Sequence, residues 1–136
     1  MFTLSVERKQ SVLMVKFSSR MTQEDLNNLD TAVVAFVKKE GATRGFLIDC
    51  TDVDDLAVPT SVFVRRGRRS ANVVSDQERV YVMPQPDLFG MGRMFGTYQR
   101  MAGKKEPLVV KTLLEAFEAL GLSDPIFEPV TIGPDT

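Results

Sequence analysis

The chain has 136 residues, 43% of them apolar and 26% charged, with a net charge of −1. That size and balance fit one folded domain with a single core. They exclude a globally disordered chain and a general polyanion binder, which needs a surplus of Lys and Arg. The absence of histidine removes His-based triads and the commonest metal ligand, and the lone cysteine, Cys50, excludes an intrachain disulfide or a Cys-cluster metal site.

Phe2, Leu4 and Val6 alternate with polar residues, as in a half-buried strand. Arg8 to Ser11 are turn residues, and the apolar run Val12 to Phe17 predicts a second strand closing a hairpin. Thr22 precedes Gln23, Glu24 and Asp25, a helix start with a capping hydroxyl and acids at the positive end. Leu26, Leu29, Val33, Phe36 and Val37 form one apolar stripe, and Lys38, Lys39 and Gly41 mark the helix end. Arg44 to Cys50 is a third strand, whose unbroken apolar centre predicts burial on both faces.

After Cys50 comes an acidic stretch, read as a loop, and then a helix over about Pro59 to Val74. On a helical wheel Phe63, Gly67, Ser70, Ala71 and Val74 share one side, with Arg65, Arg66, Arg68 and Arg69 on the other. Arg79 to Met83 is a fourth strand, stopped by Pro84 and Pro86. Asp87 is placed to cap a third helix with Leu88, Met91, Met94, Phe95, Tyr98 and Met101 as apolar members. Leu108 to Val110 is a fifth strand, and Thr112 caps a last helix ending near Gly121.

This order predicts an α/β domain over residues 1–122: a β-hairpin, then repeated strand–helix units, in a mostly parallel five-stranded sheet with helices packed against it. Residues 123–136 are left as a proline-containing tail. No basic segment followed by an apolar run opens the chain, and no apolar run is long enough to span a membrane. No signal peptide or membrane span is therefore expected, and the default location is cytoplasmic.

In parallel sheets the functional crevice lies beyond the carboxyl ends of the strands. Asp49, Thr51 and Asp52 stand at such an end, and Thr60, Ser61, Arg65, Arg66, Arg68 and Arg69 follow on the next helix. Together these form the candidate partner-binding surface. The acids lack calcium-loop spacing, so a solvated acidic loop is favoured over a cation site. No aromatics interleave with the arginines, which argues against nucleic acid. Gly90, Gly92 and Gly96 mimic a dinucleotide-binding pattern but share a helix phase, which favours helix packing. Met91, Met94, Phe95 and Tyr98 form a candidate apolar pocket or interface. No nucleophile with an orienting base is visible, so no catalytic residue, metal or cofactor is assigned.

From Val12 to Leu122 the chain resembles the STAS superfamily, and within it the SpoIIAA-like (STAS/SEC14) branch. The resemblance rests on Phe46-Leu-Ile-Asp-Cys-Thr-Asp-Val53, on Phe89-Gly-Met-Gly-Arg-Met-Phe95, and on Leu108-Val-Val-Lys-Thr-Leu-Leu-Glu-Ala-Phe-Glu-Ala-Leu120. It implies the SpoIIAA-like βα superhelix. It also implies a non-enzymatic signalling module that, like an anti-sigma-factor antagonist, binds another protein or itself as a homodimer. SEC14-like relatives hold apolar or lipid ligands, so the alternative is a carrier or sensor of a small apolar or anionic ligand, lipid-like or nucleotide. The Asp-Ser-Ser-Gly-like switch of the antagonists falls here on Ala57, Val58, Pro59 and Thr60. Val58 stands where the phosphorylated serine is expected. Thr60 and Ser61, just beyond it, are the substitute candidates for phosphorylation.

Overall fold

Residues 1–68 and 77–131 are described by the computed structural model. The elements are β1 (Phe2–Glu7), β2 (Val12–Thr22), α1 (Gln23–Glu40), β3 (Gly45–Ala57), α2 (Thr60–Gly67), β4 (Glu78–Val82), α3 (Pro86–Met101), β5 (Leu108–Val110), α4 (Leu113–Ala119) and β6 (Glu128–Val130). The strands form one six-stranded mixed sheet in the order β5-β4-β3-β2-β1-β6. β2, β3, β4 and β5 run parallel to one another, while β1 is antiparallel to both β2 and β6. The sheet thus has one strand more than the sequence predicts, because part of the C-terminal tail pairs along β1.

Side chains alternate across a sheet, so each strand feeds two cores. On one face Leu13, Val15, Phe17, Phe46 and Tyr81 meet Leu26, Leu29, Val33 and Phe36 of α1, Val62 and Phe63 of α2, and Leu88 of α3. On the other, Val12, Leu47, Val80, Val82 and Val110 meet Ala116 and Leu120 of α4, with Phe127 of the tail packed alongside. Both faces of the central strands are covered, which is why Phe46 to Ile48 is apolar without interruption. Burying such side chains contributes roughly 1.5–3 kcal/mol each.

Local chemistry sets the element boundaries. The Thr22 hydroxyl accepts the Asp25 N–H at 3.1 Å, and the Asp25 carboxylate accepts the Thr22 N–H at 3.0 Å, a reciprocal cap at the start of α1. Gly41 ends that helix at φ 86°, a left-handed value that favours glycine. α3 begins two residues earlier than its acid suggests. Gln85 is the N-cap and Pro86 opens the helix, while the Asp87 carboxylate accepts the N–H of the adjacent Leu88. On α3 the buried residues are Leu88, Gly92, Gly96 and Gln99. A Cβ at Gly92 would lie 2.6 Å from Met83 Sδ, so this glycine lets the helix settle on the sheet.

Candidate functional site

β2 and β3 outrun their neighbours. β1 pairs with β2 only as far as Phe17, and β4 pairs with β3 only as far as Asp49. Beyond those points β2 and β3 continue against each other to Thr22 and Ala57, with register shifts after Lys16 and Ser19. The expected acidic loop is therefore the outer half of a long strand. Val53 points into the core, while Thr51, Asp52, Asp54 and Asp55 are exposed. Cross-strand ion pairs match the charges, Lys16–Asp52 at 3.0 Å and Arg20–Asp55 at 3.3 Å. Asp52 holds the Lys16 ammonium above its ordinary range. Exposed pairs of this kind contribute about 0–1 kcal/mol each, so they select register more than they stabilise.

Asp49 does not belong to that exposed set. It is buried, and it accepts the Thr51 N–H at 2.9 Å and the Thr51 hydroxyl. The acids are strung along a strand and separately engaged. Among the described residues, no group of three or more His, Cys, Asp or Glu is placed to hold a metal ion. Burial, and after it the Asp49 charge, push the Cys50 thiol up to about 12, which makes it a packing residue rather than a nucleophile.

The ribbon leads into α2. Val58 is buried, so the position that the resemblance gives to a phosphoserine is a core position here. Thr60 and Ser61 are exposed on the first turn, where Pro59 supplies no side-chain cap and no acid is present. The arginines do not share one outward face. Arg65 is exposed. Arg66 turns back to α1 and donates to both carboxylate oxygens of Asp30 at 2.9 Å. Arg68 lies over the Tyr98 ring of α3 at 4.9 Å. Arg69 is outside the described residues, as is the expected continuation of the helix to Val74. The structure thus brings Asp52, Thr60, Ser61 and Arg65 to the surface and commits Asp49 and Arg66 to internal partners.

Of the expected apolar group, Met91, Met94 and Phe95 pack against the larger core, and Tyr98 is half-buried beneath Arg68. Between the sheet and α1, α2 and α3 lies a cavity of about 60 Å³ lined by Phe17, Met21, Leu29, Phe63, Tyr81 and Phe95, with Arg66 as its charged member. Burial raises the Tyr81 phenol, a rise that the nearby Arg79 opposes.

Several polar residues escaped the sequence reading. Gln85 donates to the carbonyls of Cys50 at 2.8 Å and Val53 at 2.7 Å, tying the start of α3 to the ribbon. Arg79 is buried, and its guanidinium donates to Gln99 Oε1 at 3.0 Å and to the Lys105 carbonyl at 2.5 Å. Gln99 passes the chain on to the Gly67 carbonyl at 2.7 Å, linking β4, α3 and α2. Glu7 is buried at the hairpin and accepts the N–H groups of Lys9, Gln10 and Ile126. The available signal was Gln99 in the apolar phase of α3; Glu7 and Arg79 lie beside other charged residues at strand ends and do not stand out.

No family model matches the chain, and no curated protein matches it.

Proposed function

We propose that the protein is a non-enzymatic, STAS-like binding module that acts by contacting another protein. The contact surface is the outer face of the β2–β3 ribbon together with the first turns of α2. The observation that carries this reading is the ribbon itself: two strands that leave the rest of the sheet to hold Asp52, Asp54 and Asp55 at the surface and lead directly into the helix that exposes Thr60, Ser61 and Arg65. Such a charged surface suits steering and partner selection more than chemistry. The strand-then-helix order after an N-terminal hairpin supports the STAS-like assignment. Phosphorylation of Thr60 or Ser61 would place negative charge at the positive end of α2, a regulatory input to the same surface.

A second reading, a small-ligand sensor, draws on the apolar cavity with Arg66 in its wall. At about 60 Å³ the cavity is smaller than the roughly 150 Å³ known to admit benzene, so a lipid would need the helices to part.

Affinity capture from cytosol tests the main reading. The wild type is compared with a variant carrying Asp54→Lys, Ser61→Lys and Arg65→Glu, all at exposed positions. The expected result is a protein retained by the wild type and lost by the variant, with unchanged circular dichroism. Identical captures from both would overturn the proposed surface.

A further inference from the structure

Away from the ribbon, β5 ends the sheet, and among the described residues no strand pairs on its outer side. Residues of an outer parallel strand aim alternately inward and outward. Val110 accepts from the Met83 N–H, so it faces β4, and the N–H and C=O of Val109 point away from β4. Leu108 is 50% exposed on this strand, and Leu114, in the first turn of α4, is 66% exposed. The edge is held firmly, since buried Arg79 anchors the Lys105 carbonyl and Val109 packs against Gly92.

Positive charge brackets the edge. Lys104 and Lys105 precede the strand, and Lys111 follows it. The Lys111 ammonium lies 5.3 Å from the Phe89 ring centroid and the Arg93 guanidinium 5.9 Å from the same centroid, so two cations share one half-buried ring. Among the described residues none of these cations has an ion-pair partner, whereas nearby Glu106 is paired with Arg100 at 3.4 Å. The charges disfavour a second copy as occupant, because two edges of net positive sign repel: in the register centred on Leu108 Lys111 would meet Lys105 and Val109 would meet Pro107, which lacks a donor, and in the register centred on Val109 Lys111 would meet Pro107. They favour an acid at each end of an incoming strand.

We propose that the outer edge of β5 is a docking site for an extended acidic segment of another protein, which adds a strand to the sheet. Backbone pairing at Val109 supplies the register, Leu108 takes an apolar side chain, and Lys105 and Lys111 take carboxylates about six residues apart. This site is separate from the ribbon surface and does not depend on it.

The test uses the intact protein, isotope-labelled, and a synthetic probe, Glu-Thr-Val-Thr-Val-Thr-Glu, titrated to about 1 mM by NMR. The expected result is saturable binding with shifts centred on the Leu108 to Val110 amides. Lys105→Glu with Lys111→Glu, both at exposed sites, weakens it about tenfold or more. That variant in turn prefers Lys-Thr-Val-Thr-Val-Thr-Lys, a swap that general attraction to a polyanion does not produce. Loss of binding without the swap overturns the proposal. So does absence of saturation, binding of anionic vesicles or single-stranded oligonucleotide at this edge in place of the peptide, or a dimer in sedimentation velocity that occupies β5.

Discussion

The two outer edges of the sheet are built on opposite plans. At one, β6 lies along β1 and carries Pro129, which lacks a donor, beside exposed Glu128. The approach to it is latched. Glu7 accepts the Ile126 N–H, the Gln10 side chain exchanges hydrogen bonds with the Ser123 backbone, and Arg8 meets Glu128 at 3.6 Å. At the other, β5 is three residues long and presents a half-exposed leucine between unpaired cations. An open strand edge is a hazard for any sheet protein. Here one edge is closed by the chain's own tail and the other is guarded by net positive charge, Glu106 being paired with Arg100, which repels a like edge and admits an acidic one.

Removing the closure should have the largest effect. Deleting residues 123–136 takes away β6 and the Phe127 ring that lies 6.1 Å from Phe117. The expected cost is about 2–4 kcal/mol in urea unfolding, with concentration-dependent self-association through the bared β1. A monomer of unchanged stability would show that β6 closes nothing. Loosening the other edge comes next. Arg79→Ala leaves Gln99 Oε1 and the Lys105 carbonyl without their donor, and about 1–3 kcal/mol should be lost, while Arg79→Met, which keeps the packing, should lose less.

The latch also has a pH signature. The Ile126 N–H, against the opposing effect of burial, holds the Glu7 carboxyl below its ordinary 4.5. Its contribution is therefore present above pH 4.5 and is lost as pH falls through the lowered folded value. In thermal unfolding, the wild type should exceed Glu7→Gln at neutral pH, and the gap should close in acid; a gap independent of pH would remove the latch. The smallest expected effect is on β5. Lys111→Glu should change stability by no more than about 0.5 kcal/mol while weakening the acidic peptide, which separates binding from folding at this edge.

The edges were also where the sequence was hardest to read. The α1 boundaries, the buried centre of β3 and the packing of Gly92 and Gly96 on α3 follow from spacing, because each is set by local chemistry or by periodicity; Gly90, expected in the same phase, is exposed instead. Asp is rare in strands, so Thr51 to Asp55 read as a loop. The stretch is a strand because it pairs along β2 and buries Val53, with Lys16 and Arg20 facing Asp52 and Asp55 to fix the register, a long-range match invisible from either segment alone. β6 was hidden in the same way: prolines at 125 and 129 argue against a central strand but not against a short outer one. At the candidate site, the exposure of Thr60, Ser61 and Arg65 was legible. The diversion of Arg66 to Asp30 was not, since a helical wheel places a side chain on a face without showing the neighbour that face meets.

Residue-resolved hydrogen exchange by NMR, with and without the acidic peptide, compares the two edges most directly. In the free protein the Val109 amide should exchange freely, while the β1 amides facing β6 are protected; adding the peptide should protect Val109 and leave β1 unchanged. A Val109 amide already protected in the free monomer, or one that stays unprotected at saturating peptide, would contradict an open, acid-selective β5 edge.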